Sequence, residues 1–224
     1  MAPLSLIAVK YGETDLPLSM AFADAAGDDR KVPISLIVYL IVTPTRRILV
    51  DAGCDTMPGF PLRLHISPAL AVERAGFSPD EITDVVLTHA HHDHIEAVKH
   101  FQNATVYIAA AEWESARKHL STARAVQMFA EDFSLEEGVA VSISGGHSVG
   151  SAIVSVNHGD REYAIVGDEC YLRECLTDCR PTGISCNPEK SLAFVKKYSN
   201  PCYTVLLAHD SALLPGELGS VRMF

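Results

Sequence analysis

Apolar residues recur along this chain in short runs rich in Ile, Val and Leu, separated by turn chemistry. Ile34 to Val42 and Arg47 to Val50 are two such runs, joined by Thr43-Pro44-Thr45-Arg46, and they predict a hairpin of half-buried strands. Pro44 suits the turn, because its ring fixes φ and it has no N–H to leave unpaired. Further strands are predicted at Asp84 to Thr88, Thr105 to Ala109, Val139 to Ser144, Ala152 to Asn157, Glu162 to Val166 and Tyr203 to Ala208. Helices are expected at about Ser67 to Ala75, ending at Gly76, then near Ile95 to Phe101, Ala111 to Leu120 and Pro188 to Tyr198. Ser78-Pro79-Asp80-Glu81 reads as a helix start, with Ser as N-cap, Pro at the first helical position and Glu placed to close a capping box.

Strands and helices thus fall into two successive groups. Two strand-rich sheets with helices outside them make a layered α/β protein. No Gly/Ser linker, charge block or low-complexity segment breaks the chain, so residues 1–224 are expected to form one domain. The order resembles an internal duplication, although the two halves do not visibly match.

Composition narrows the partners. Hydrophobic residues make up 48% and charged residues 21% of the 224, which supports a sizeable core and excludes disorder of the whole chain. With 18 basic against 28 acidic residues the formal charge is -10, so no clustered positive charge is on offer for a phosphate backbone. A nucleic-acid partner is therefore not expected, and neither is a membrane: Val32 to Val42 is about half the length that a bilayer requires. The start of the chain shows no basic n-region or cleavage site. Cys54, Cys170, Cys175, Cys179, Cys186 and Cys202 include no Cys-x-x-Cys pair. The Cys170 to Cys186 cluster therefore reads as free thiols in a reducing cytoplasm rather than as a zinc knuckle.

The most informative stretch is Thr88-His89-Ala90-His91-His92-Asp93-His94, placed directly after an apolar strand. Imidazole and carboxylate are the donors that zinc and similar divalent metals accept. A strand end sets His89 and His91 on one side, since side chains alternate with period two. A tightening turn can then aim Asp93 and His94 at a neighbouring point, which permits two metals rather than one.

His-x-His-x-Asp-His after an apolar strand also resembles the signature of the metallo-β-lactamase superfamily, whose fold is an αββα sandwich with a dinuclear metal site between two mixed sheets. The resemblance implies a lone histidine, a bridging aspartate and a last histidine, each after a later strand. Gly145-Gly146-His147, Ile165-Val166-Gly167-Asp168 and Leu206-Leu207-Ala208-His209 match them in that order. Alone, His147 or His209 would read as a structural histidine; in sequence they complete a set. One metal would take His89, His91 and His147, the other Asp93, His94 and His209, with Asp168 bridging. Asp51, in Leu49-Val50-Asp51-Ala52-Gly53, resembles the early aspartate that supports a ligand histidine from behind. The cofactors implied are two divalent ions, Zn2+ first, with Mn2+ or Fe2+ also accepted by such ligands.

Within the superfamily, Asp168-Glu169-Cys170-Tyr171 is similar to the Asp-x-x-Tyr of the N-acyl homoserine lactone lactonases, and so is His209-Asp210. The resemblance implies attack of a metal-bridging hydroxide on the carbonyl of a small-molecule lactone. Tyr171 would donate to the developing oxyanion and Asp93 would pass a proton to the leaving alkoxide. No covalent role falls to Ser148, Ser151 or a cysteine. Two features depart from the lactonase pattern: Ile95-Glu96-Ala97 follows the motif where Gly-Gly is usual, and His92 stands where an apolar residue helps to hold an acyl chain. A smaller or more polar substrate is expected in consequence. Thioesterase and phosphodiesterase chemistry of the same fold are alternatives, and a non-catalytic metal- or ligand-binding protein is the alternative of another class. The nuclease and flavin-diiron branches are disfavoured by the charge and by His91, respectively. Oligomeric state has no signal in the sequence.

Overall fold

The structure, a computed structural model, describes residues 4–224. Among the described residues the strands are β1 (Ser5–Pro17), β2 (Lys31–Val42), β3 (Arg47–Val50), β4 (Asp84–Val86), β5 (Thr105–Ala109) and β6 (Ala125–Phe129). They continue as β7 (Phe133–Glu136), β8 (Val139–Ile143), β9 (Ala152–His158), β10 (Arg161–Ile165), β11 (Tyr203–Leu206) and β12 (Gly219–Arg222). They form a seven-stranded sheet in the order β12-β1-β2-β3-β4-β5-β6 and a five-stranded sheet in the order β11-β10-β9-β8-β7. Both are mixed: β3 to β6 run parallel while β1, β2 and β3 are antiparallel, and β11 joins β10 in parallel on an otherwise antiparallel sheet.

Alternation along each strand builds the layers. Ile37, Tyr39 and Ile41 of β2, Ile48 and Val50 of β3 and Val86 of β4 face Val154, Val156, Ile165 and Leu206 of the other sheet. The residues between them, Leu36, Val38, Leu40, Leu49 and Val85, turn outward against Ala71, Val72, Ile95 and Val98. On the far side, Ile153, Ala164 and Val205 pack on Phe194, Val195 and Tyr198 of the helix Pro188–Tyr198. With both faces of each central strand buried, apolar runs are continuous rather than alternating. The result is the expected αββα order.

Local elements follow their caps. Asn187 accepts from the Lys190 amide at the start of Pro188–Tyr198, and Pro188 occupies the first turn, where it lacks only an orphan donor. The helix expected at Ser67 to Ala75 spans Pro68–Arg74. The Ser78 capping box forms, but closes only one 3-10 turn, Pro79–Glu81. Two expected helices are broken. Ile95 to Phe101 is instead an α turn, His92–Ile95, followed by a 3-10 turn, Glu96–His100. Its backbone is diverted outward: the Ala52 amide donates to the His94 carbonyl at 2.8 Å, and the Ala97 amide to Gly53 at 3.0 Å. Ala111 to Leu120 likewise divides into Ala110–Glu112, Trp113–Ala116 and His119–Thr122. No described helix is long and apolar enough to cross a membrane.

Candidate metal centre

The strand ladders stop short of the chemistry. β4 ends at Val86, β10 at Ile165 and β11 at Leu206. The residues that leave these ends deliver His89, Asp168 and His209 to one edge of the sandwich. His147 comes from the loop between β8 and β9. All seven residues expected to ligate are brought together. His89, His91, His147 and Asp168 form one group, and Asp93, His94, Asp168 and His209 form another, the donor atoms of each lying within 4.8 Å of one another. No cysteine belongs to either group.

Asp168 is shared oxygen by oxygen. Its Oδ2 lies 3.6 Å from Nε2 of both His89 and His147, whereas Oδ1 lies 3.0 Å from Nε2 of both His94 and His209. Asp93 Oδ2 stands 3.7 Å from the same two nitrogens of His94 and His209. His147 Nε2 faces His91 Nδ1 at 2.9 Å.

The far side of each ring explains which nitrogen faces inward. His94 Nδ1 donates to Asp51 Oδ2 at 2.7 Å, His147 Nδ1 to the Ile184 carbonyl at 2.8 Å, and His209 Nδ1 to the Ser35 carbonyl at 3.0 Å. Thr88 Oγ1 donates to Asp51 and is left to accept from His89 Nδ1 at 3.1 Å. Each such bond puts the proton outside and the lone pair of Nε2 inside. Asp51 does this from a left-handed conformation, φ 59°, held by the Thr88 amide at 2.7 Å. Strain of that kind persists where the surroundings fix it.

The donor set fits divalent metal. His89 Nε2, His94 Nε2, His209 Nε2 and Asp168 Oδ1 are buried with no hydrogen-bond partner. Orphaned acceptors converging from four directions carry a desolvation cost that a cation between them removes. Without a cation the members titrate differently: burial would lower His94 and His209, but Asp168 raises both, so a proton on Nε2 stands where a cation would. Burial, then the neighbouring His94, pushes the His89 imidazole well below its ordinary pKa. Burial would raise Asp168, but His94 and His209 outweigh it and hold the carboxyl well below the usual range.

Tyr171 lies beside both groups. Its ring stacks on His209, with centroids 5.2 Å apart and planes at 15°, and meets His147 edge-on at 6.0 Å. Burial, followed by Asp168 and Asp93, raises its pKa well above 10.0, so the phenol stays protonated. A cavity of about 420 Å³ opens next to the first group, lined by His91, His147, Glu112, Ser148, Ser185 and Cys186 among others. The Cys170 to Cys186 segment, read from sequence only as free thiols, ends in this wall, and its cysteines are unpaired. His92 does not join the ligands: it is hydrogen-bonded to the Thr56 carbonyl at 2.8 Å and meets His119 edge-on at 5.8 Å.

Sequence reasoning missed two buried acids here. Glu169 accepts from the amides of Gly146 and His147, and Glu112 from those of Ala90 and Gly150. Glu169, adjacent to Asp168, carried only a positional hint. Glu112 had no signal, because its partners are distant in sequence.

Comparison with known proteins agrees with this geometry. A family model described as the metallo-beta-lactamase superfamily matches residues 38–201. A "probable metallo-hydrolase" of Methanocaldococcus jannaschii is 26% identical over 173 residues, 76% of this chain and 74% of that one. Among solved structures, a quorum-quenching N-acyl homoserine lactone hydrolase superposes with a TM-score of 0.83 at 20% identity, covering 98% of this chain and 97% of that one. A probable metal-dependent hydrolase from Staphylococcus aureus gives 0.80 at 18% identity, covering 94% and 91%.

Proposed function

This chain belongs to the metallo-β-lactamase superfamily, and we propose that it is a dinuclear metal-dependent hydrolase that opens a lactone ring. The observation that carries the reading is the shared Asp168, with one carboxylate oxygen turned to each of two histidine groups. His89, His91 and His147 would hold one ion, Asp93, His94 and His209 the other, and Asp168 both; zinc suits this donor set, and manganese or iron(II) are accepted by it. Two bound dications would supply Lewis acidity, acidifying water and polarising the carbonyl oxygen.

The protein's own groups complete the chemistry. Water adds to the lactone carbonyl carbon and gives up a proton, the ring C–O bond breaks, and a single open-chain hydroxy acid results. Tyr171 Oη donates to the carbonyl oxygen as negative charge grows there, which a neutral phenol can do at neutral pH. Asp93 Oδ2, at the rim of the second group, moves a proton to the departing alkoxide oxygen. The stack on His209 fixes where the phenol points. The lactone assignment rests on Asp168-x-x-Tyr171 and on the likeness to the lactone hydrolase fold. Purified protein loaded with zinc, screened against lactones, thioesters and bis-phosphodiesters, tests it. Preferential lactone opening is expected; turnover confined to thioesters or phosphodiesters overturns the substrate class and leaves the metal reading standing.

A further inference from the structure

His147 sits on a segment with no ladder of its own. Between β8 and β9 the chain from Ser144 to Ser151 closes on itself through bonds to the Ser151 carbonyl, from Ser144 N at 2.8 Å and from Gly145 N at 3.0 Å. What aims the imidazole must therefore come from outside the loop. The Ile184 carbonyl takes the ring Nδ1, and the Cys186 and Asn187 amides bond the Gly146 and His147 carbonyls. Two buried carboxylates, one from each sheet, hold the amide side of the loop.

Glu169 is fully buried, at 0% exposure, in the 3-10 turn that also carries Asp168. Its Oε1 accepts from Gly146 N at 2.9 Å and His147 N at 3.0 Å, and lies within hydrogen-bond distance of Ser144 Oγ and Ser151 Oγ, at 2.7 and 2.5 Å. The peptide bearing His147 is thus tied to the residue after the shared aspartate. Glu112, 6% exposed, leaves the end of β5 on the other sheet. Its Oε1 accepts from Ser148 Oγ and Gly150 N, both at 2.8 Å, and its Oε2 accepts from Ala90 N at 3.1 Å. One carboxylate therefore joins the peptide between His89 and His91 to the loop just past His147. The fit is close: a methyl group on Gly146 would stand 2.4 Å from Glu169 Oε2, and one on Gly150 would stand 2.8 Å from Glu112 Cγ.

The second group is held by other means. His94 leans on Asp51 and His209 on the Ser35 carbonyl, and neither bond involves Glu112 or Glu169. We infer that Glu112 and Glu169 are positioning residues for the His89, His91 and His147 group alone. The inference rests on the two-metal reading above. Hydrogen bonds to a carboxylate are about twice as strong as neutral ones, so anionic acceptors fix the loop where amide acceptors would hold it less firmly. Glu112 uses both oxygens, so Glu112→Gln sets an NH2 against a donor. Glu169→Gln keeps one carbonyl oxygen for the two amides and is the milder change.

Metal-free wild-type, Glu112→Gln and Glu169→Gln proteins are titrated with Zn2+ by calorimetry, with the imidazole nitrogens followed by NMR. Wild type should take two ions. Each glutamate variant should keep one at the wild-type constant and bind the other about 10–100-fold more weakly. The retained ion should shift His94 and His209. Glu169→Gln carries the test if Glu112→Gln does not fold. Unchanged constants for both ions, or equal weakening of both, overturns the inference. A wild-type protein that binds no zinc overturns the metal reading and this one with it.

Discussion

Tyr171→Phe separates the chemistry from the packing at one position. The ring is 3% exposed and stacks on His209 at 5.2 Å, and phenylalanine keeps that stack and nearly all of the volume. Only a hydroxyl is lost, and the net contribution of a typical hydrogen bond is about 1 kcal/mol. Stability should thus fall by no more than that, a shift of about 2–4 °C in Tm for a chain of this size. If the hydroxyl donates to the developing oxyanion, the activation barrier rises by about 2.7–4 kcal/mol, or 10²–10³ in kcat. Steady-state lactone hydrolysis by the zinc-loaded variant, with Tm and zinc content measured on the same sample, distinguishes the two. A kcat within threefold of wild type refutes the oxyanion role. A loss of kcat that tracks lost zinc refutes it too, because the ring would then be acting on its neighbour His209.

Other perturbations reach different parts of the site. Chelation should abolish turnover and lower Tm by about 5–10 °C, since an ion present at 100 times its Kd contributes about 2.7 kcal/mol and each kcal/mol is about 2–4 °C here; an unchanged Tm with full activity speaks against resident metal. Gly146→Ala sets a methyl 2.4 Å from Glu169 Oε2 and 2.7 Å from Ser191 Oγ, so overpacking should cost about 1–3 kcal/mol in thermal denaturation, and a neutral result would mean the His147 loop is not tightly held. A thiol reagent should titrate three of the six cysteines in the folded protein, Cys179, Cys186 and Cys202, and the remaining three only after unfolding. Cys54 is the sharpest case: burial, then Asp93, pushes its thiol up to about 12, and fast labelling there would show that the site opens.

The central strands were legible because they are buried on both faces, so that β2, β3, β4 and β9 to β11 read as apolar runs. β1 was not. Its thirteen residues include Lys10, Glu13 and Asp15, which break the run, yet Lys10 is fully buried by donating to Glu13 Oε1 and to the Leu214 carbonyl, both at 2.6 Å. β6, β7 and β12 lie at or next to sheet edges with mostly half-exposed residues, and so present neither a run nor an alternation. The clustered histidines and aspartates were readable because they are rare residue types at strand ends, in a fixed order. The carboxylates that aim those donors were not, since Glu112 meets Ala90 and Gly150 only after the two sheets have closed. Strand and ligand are properties of a segment; support is a property of the assembled sandwich.

The central claim is two metal positions flanking Asp168. Crystals grown with zinc, with diffraction recorded on both sides of the zinc absorption edge, test it most directly. Two anomalous peaks per chain are expected, one among His89, His91 and His147 and one among Asp93, His94 and His209, with Asp168 between them. A single peak, peaks elsewhere, or none would contradict it.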